Sequence, residues 1–244
     1  MGKIKYSVIT ATYNRAHMIH RAIKSVQAQT YAEPFEHIIV DDCSQDNTDE
    51  VVDFYTDKSD VIVKYVKTPS HGDRTRARNL GMKEAQGEWI LWLDSDDLYV
   101  PYYLDMLSMA ISAAPEAKLF NFGGIRVHRQ YNSTFINVFR PEIKGKGHES
   151  FRSGDIAAGH FIFKKELLEE VGYLPEVNNC WLFAEEAKKE FPELRKMFEG
   201  KSELGNPWGD DYFMFYKLTR KNISIPLDIN LYIIWGREEK ELKI

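Results

Sequence analysis

The chain has 244 residues, 43% of them hydrophobic and 13% aromatic, which supplies enough apolar side chain for one well-buried domain. Its formal charge of −5 excludes a general nucleic-acid binder, which needs an excess of Lys and Arg to neutralise phosphates. Two cysteines, Cys43 and Cys180, are too few for a disulfide framework and lack the pairing of a zinc site, so a reducing, cytoplasmic setting is expected. No apolar run approaches the length of a bilayer crossing and no leader-like segment precedes the first strand, so any membrane contact would be peripheral.

Tyr6 to Thr10 reads as a first strand, followed by the loop A-T-Y-N. Ile19, Ala22, Ile23 and Val26 recur at three- and four-residue spacing and predict an amphipathic helix ending near Gln29. H-I-I-V predicts a second buried strand, ending in Asp41-Asp42. Thr48 then stands as the N-cap of a helix carrying Val51, Val52 and Tyr55, and V-I-V-K-Y-V predicts a third strand. Ala77, Leu80, Gly81 and Ala85 mark one face of a further helix, closed by Gly87. Strand and helix thus alternate over the first hundred residues. That pattern predicts an α/β fold with a mostly parallel, Rossmann-like sheet, right-handed crossovers and helices on both faces.

The fourth strand, Trp89 to Leu93, has no polar alternation and reads as buried on both faces, yet it stops abruptly in Asp94-Ser95-Asp96-Asp97. Three carboxylates within four residues repel one another unless a cation or donors compensate. In extended geometry Asp94 and Asp96, with the small Ser95 between them, point to the same side and make an open, hard-oxygen site suited to Mg²⁺ or Mn²⁺ serving a nucleotide. The same residues also suit a solvated turn that caps a helix starting near Pro101. In parallel sheets ligands bind beyond the carboxyl ends of the strands. A-T-Y-N, D-D-C-S and D-S-D-D all follow such ends, and are expected to share one crevice.

The second half is less regular. A helix from about Pro101 to Ala114 is expected to bury Tyr103, Met106, Leu107, Ala110 and Ile111, followed by a strand K-L-F-N-F and a hairpin-like pair, G-G-I-R-V-H and F-I-N-V-F. Arg126, His128, Arg129, Arg140, Lys144, Lys146, His148 and Arg152 make this region basic, and read as a solvated face in preference to an anionic-acceptor site. A-A-G-H-F-I-F-K-K-E-L-L-E-E-V-G predicts a strand and a short helix. Residues 184–201 are charged and helical in pattern, interrupted at Pro192. Gly209-Asp210-Asp211 opens a last apolar-rich helix, and the tail has strand-like pieces.

Four segments in this order resemble the family 2 glycosyltransferases, which have the GT-A fold: V-I-T-A-T-Y-N-R, I-I-V-D-D-C-S-Q-D-N-T, R-A-R-N-L-G-M-K-E-A-Q-G-E-W-I and D-S-D-D. A weaker match continues through A-A-G-H-F-I-F-K-K-E-L-L-E-E-V-G-Y and G-D-D-Y-F-M-F-Y-K-L. The resemblance implies one domain over residues 1–220, with residues 1–100 the nucleotide-sugar half and 101–220 the acceptor half, and 221–244 a strand and tail. It implies that Thr10, Ala11 and Tyr13 line a nucleobase pocket and that Asp42 accepts a hydrogen bond from the base, which favours a UDP-sugar because a carboxylate needs an imino N–H. It further implies that Arg78 and Asn79, with Arg74 or Arg76, lie near the donor pyrophosphate. Asp94 and Ser95 would lie near the ribose or sugar, Asp96 would be the direct ligand of Mn²⁺ or Mg²⁺ with Asp94 beside it, and Asp211 the general base. The motif reads Asp210-Asp211 where the family has Glu-Asp, which leaves Asp210 as the alternative base. Tyr232, Trp235 and Arg237 stand where many members carry a histidine loop.

The implied function is inverting transfer of a sugar from a nucleoside-diphosphate donor to a hydroxyl of a carbohydrate or glycolipid acceptor, in polysaccharide or glycoconjugate synthesis. Two alternatives stay open: a non-catalytic nucleotide- or sugar-binding module of the same fold, and a nucleotidylyltransferase, although Tyr13-Asn14-Arg15 is not the Gly- and Lys-rich loop of the latter. The first strand is not followed by G-x-G-x-x-G, which argues against a dehydrogenase. Asp42 to Asp53 lacks the glycine and final glutamate of a calcium loop. His160 and Cys43 read as a structural histidine and a small buried hydrophobe.

Overall fold

In the computed structural model, residues 2–72, 74–130, 133–139, 158–176, 189–190 and 210–235 are described. The expected alternation is present from the start: β1 (Tyr6–Thr12), α1 (Ile19–Gln27), β2 (Glu36–Asp41), α2 (Thr48–Thr56), β3 (Ile62–Lys67), α3 (Arg74–Glu84) and β4 (Trp89–Trp92). Then follow β5 (Leu98–Tyr99), α4 (Tyr103–Ala113), β6 (Leu119–Gln130), β7 (Ser133–Phe139), β8 (Phe161–Lys164), α5 (Leu167–Val171), α6 (Asp210–Lys221) and β9 (Ile225–Trp235).

The described strands form one sheet in the order β3-β2-β1-β4-β8-β6-β9-β5, with β7 paired to β6. The first four strands are parallel, as buried apolar runs joined by helical crossovers require. The second half joins it through antiparallel β8, with β9 parallel to β6. This is the α/β architecture expected from the sequence. Ile225–Trp235 is an interior strand between β6 and β5, so this part of the tail belongs to the sheet.

Alternate residues of the central strands feed opposite faces. Ile9, Ile90 and Trp92 pack with Ala77 and Met82 of α3, Leu167 of α5 and Phe213 and Phe215 of α6. Val8, Trp89 and Leu91 pack with Ala22 and Val26 of α1 and Tyr103, Leu104 and Leu107 of α4. Each fully buried Val, Leu, Ile, Met or Phe among them contributes about 1.5–3 kcal/mol relative to leaving it in water.

Several local details differ from the sequence reading, and K-L-F-N-F and G-G-I-R-V-H run on as the single strand β6. Thr48 is the first residue of α2, not its cap; Asp46 Oδ1 accepts hydrogen bonds from the Thr48 N–H at 3.2 Å and its hydroxyl at 2.5 Å. The helix expected from Pro101 starts at Tyr103, because Leu98 and Tyr99 are held as a short strand by β9 through Leu98↔Ile233 and Tyr99↔Tyr232. Cys43 is half-buried with φ 64°, a left-handed loop position and not a core site. α3 ends at Glu84, before Ala85 and short of Gly87, which sits in the turn that follows, where a Cβ would come within 2.6 Å of the Ser7 backbone nitrogen. His160 is buried, in keeping with a structural role. The basic residues 140–152, the charged stretch 184–201 apart from 189–190, Cys180 and Arg237 lie outside the described residues, as do the side chains of Arg126, His128, Arg129, Asp211, Tyr232 and Trp235.

Candidate functional site

β1 lies between β2 and β4, so the loops that leave their carboxyl ends meet at one edge of the sheet. Hydrogen bonds stitch the first two together: the Asn14 N–H donates to Ser44 Oγ at 2.8 Å and the Gln45 N–H to Asn14 Oδ1 at 2.8 Å. Asn14 and Cys43 both take left-handed backbone, φ 51° and 64°, to make these sharp exits. Asp41, fully buried, organises the second loop by accepting from the Ser44 N–H and hydroxyl, at 2.8 and 2.6 Å, and from Tyr65 Oη at 2.6 Å. Burial, together with that bond and the negative charge of Asp41, raises the Tyr65 hydroxyl well above the usual phenol range.

Asp42 points into a cradle made by the segment between β3 and α3 together with the first turn of α3. Thr68 Oγ1 donates to its Oδ1 at 3.1 Å, the Gly72 N–H to its Oδ2 at 2.9 Å, Arg76 Nη2 lies 3.3 Å from Oδ1 and His71 Nδ1 2.8 Å from Oδ2. The His71 ring lies flat against Tyr13, with centroids 3.8 Å and planes 17° apart. Tyr13 is 37% exposed and faces solvent at this rim. The other two residues expected beside it sit deeper. Thr10 is wholly buried, its hydroxyl 2.9 Å from His37 Nε2, and half-buried Ala11 packs against the core.

The acidic turn is brought to the same edge. Asp94, Asp96 and Asp97 each offer a carboxylate oxygen within 4.8 Å of the others, the hard-oxygen donor set that Mg²⁺ or Mn²⁺ takes, and Asp94 and Asp96 are only half-buried. Ser95, between them, is buried. Arg15 Nη2 stands 4.0 Å from Asp96 Oδ2. Arg78, buried in α3, reaches Asp94 Oδ1 at 2.6 Å with Nη2 and Asp210 Oδ2 with Nη1, while its guanidinium lies 4.5 Å over the Trp92 ring. Arg74 Nε is 2.6 Å from Asp210 Oδ1. Burial by itself pushes the Asp210 carboxyl upward and is the largest single influence, but Arg78 and then Arg74 outweigh it and hold the group below the usual carboxylate range.

Asn79 is buried one position further along α3. Its amide donates to Leu174 O at 2.8 Å and accepts from the Leu174 N–H at 3.0 Å, so it clamps the chain that follows α5. Asp211 is the second residue of α6, next to the Arg78-bound Asp210. Among the contributors not singled out in the sequence are Arg15, Ser44, Tyr65, Thr68, His71 and Gly72. No periodicity marks them, since they act through contacts between separate segments.

Residues 7–172 match the family model described as Glycosyl transferase family 2. Over 95 residues the chain is 39% identical to a poly(ribitol-phosphate) β-N-acetylglucosaminyltransferase, TarS, of Staphylococcus aureus, covering 38% of this chain and 16% of that protein. It is 32% identical over 181 residues to a GalNAc(5)-diNAcBac-PP-undecaprenol β-1,3-glucosyltransferase of Campylobacter jejuni, covering 68% of this chain and 53% of the relative. This chain therefore spans between about a sixth and a half of these two relatives. In three dimensions it superposes on S. aureus TarS 1–349 in complex with UDP-GlcNAc with a TM-score of 0.69, at 20% identity over 97% of this chain and 60% of that one. A mannosyltransferase from Pyrobaculum calidifontis in complex with GDP-Man and Mn²⁺ gives 0.62 at 18% identity, over 99% of this chain and 59% of the other. At such identities the two superpositions establish the fold.

Proposed function

The chain belongs to glycosyl transferase family 2, and from that premise we propose that it moves a sugar from a nucleoside-diphosphate donor, preferentially a UDP-sugar, to an acceptor hydroxyl with inversion. The observation that carries this reading is the convergence of Tyr13, Asp42 and the Asp94–Asp97 turn beyond the carboxyl ends of β1, β2 and β4. Tyr13 offers a stacking face for any base, and Asp42 an acceptor that rewards an imino N–H, present in uracil, thymine and guanine and absent from cytosine. Arg74 or Arg76 supplies positive charge near the pyrophosphate. Arg78, with one arm on Asp94 and the other on Asp210, holds the acidic turn against α6. Ala11, Asn79 and Ser95 set the backbone around the donor, and Thr10 supports the pocket from inside the sheet.

The three-carboxylate turn fits a divalent cation, and Asp96, with Asp94 beside it, would hold Mn²⁺ or Mg²⁺. Such an ion offsets charge growing on the leaving diphosphate. Asp211 takes the proton from the attacking hydroxyl; attack opposite the leaving group inverts the anomeric carbon. Residues 101–220 form the acceptor half. The TarS and C. jejuni relatives, named for a polymer and a lipid-linked acceptor, support a carbohydrate or glycolipid acceptor here. No helix among the described residues is long and apolar enough to cross a membrane, and contact with a lipid-borne acceptor is peripheral in this reading. We place the reaction in the cytoplasm, on the low cysteine content.

The test is turnover of a panel of nucleotide sugars with Mn²⁺, with and without carbohydrate acceptors. Release of the nucleoside diphosphate with an inverted product, fastest from a UDP-sugar, is expected. Binding without turnover points to a non-catalytic module, and release of pyrophosphate from a nucleoside triphosphate to a nucleotidylyltransferase.

A further inference from the structure

His71 makes, within the protein, the two contacts that the proposed pocket asks of a nucleobase. Its flat ring stacks on Tyr13 at 3.8 Å, and its Nδ1 lies 2.8 Å from the Asp42 carboxylate and 3.2 Å from the Asp42 carbonyl oxygen. A base inserted between the two rings needs two stacking contacts of roughly 3.5–4.0 Å each, about twice the spacing present. Resting on the base-pocket reading above, we infer that His71 is an internal surrogate for the nucleobase, filling its slot until the donor displaces it.

The surroundings suit a group that leaves. The His71 side chain is 50% exposed and sits at the rim, so its departure uncovers no core. Asp42 stays oriented without it, because Thr68, the Gly72 N–H and Arg76 still hold the carboxylate. The vacated Oδ2 then accepts the imino N–H of the base, and the vacated Tyr13 face takes its ring. His71 thus keeps a buried carboxylate and an exposed aromatic face covered when no donor is bound, and sets a threshold that every donor must overcome.

The threshold has a signature. Releasing His71 costs the same whichever base enters, so it raises the apparent dissociation constant of every nucleotide by one common factor and leaves their ranking untouched. A residue that touched the bound base would change the ranking. The experiment is calorimetric titration of UDP, GDP and CDP, with Mn²⁺ present, into the 244-residue chain and its His71→Ala and His71→Ser variants, with thermal unfolding to verify the fold. We expect each nucleotide to bind roughly three- to thirtyfold more tightly to both variants, by the same factor for each, from loss of one partly exposed stack and hydrogen bond. Unchanged or weaker UDP binding overturns the inference, and so does a factor that differs between bases. If no nucleotide binds the parent or the variants, the base-pocket reading itself fails and takes the inference with it.

Discussion

Arg78 of α3 and Asp210, the first residue of α6, form a buried ion pair between positions 132 apart in the chain. It couples the helix carrying the proposed base to the helix beside the acidic turn. Two arginines converge on Asp210, so its loss would leave buried Arg78 half-compensated, a defect that costs about 3–5 kcal/mol. Asp210→Asn is expected to lose about that much in urea unfolding at pH 7. Because the folded carboxyl is held below its unfolded value, the stabilisation is fully present above about pH 4 and is lost as pH falls through the lower folded value. The difference between parent and variant should therefore shrink in acid. Equal stability at pH 7 rules the coupling out.

His37 predicts a second acid sensitivity, of different origin. It is wholly buried beside Thr10, and burial lowers it to about 3. From roughly pH 6.5 downward the unfolded chain takes up a proton that the folded chain refuses, so stability falls by about 1.4 kcal/mol per pH unit through this residue alone. The loss continues until the folded value near 3 is reached. Denaturation at pH 7 and pH 5 should show a steeper decline for the parent than for His37→Gln. Parallel declines would mean that His37 is not held neutral by the fold.

Asp96→Ala is expected to abolish metal-stimulated transfer while leaving the fold intact, since Asp96 is half-buried at a turn and its removal takes one of three adjacent carboxylates. Mn²⁺ titration in the presence of UDP should lose most of its heat in the variant. Full transfer by Asp96→Ala, or by the parent in excess chelator, dismisses the metal assignment.

How far the sequence reached depended on where each signal was stored. β1, β2 and β4 were legible because buried strands need unbroken apolar runs, and α1 because Ile19, Ala22, Ile23 and Val26 must face the sheet together. The acidic turn was legible because carboxylates at the end of an apolar strand conflict locally. β5 was not: two residues carry no period, and only Ile233 and Tyr232 of β9 make Leu98 and Tyr99 a strand. Likewise nothing near His71 announces Tyr13 or Asp42, which lie in other loops. Asn79, placed by resemblance near the pyrophosphate, commits both ends of its amide to Leu174, a contact 95 residues away that no local pattern encodes.

The ion pairs of Asp210 favour Asp211 as the proposed base. Asp210 is buried and bound by Arg78 and Arg74, which stabilise its charged form and make it a poor proton acceptor. Asp211 follows it in the first turn of α6, where the helix dipole helps to keep a carboxylate ionised. Asp211→Asn is therefore expected to keep UDP affinity, metal binding and stability while its rate at saturating donor and acceptor falls about 10²- to 10⁴-fold, the usual contribution of a general base. Asp210→Asn should instead lose stability first, with a smaller fall in rate among the molecules that remain folded. Steady-state kinetics of both variants, corrected for the folded fraction by calorimetric titration with UDP, separates the roles. A larger rate loss in folded Asp210→Asn reverses the assignment, and full activity in both removes the carboxylate base from the mechanism.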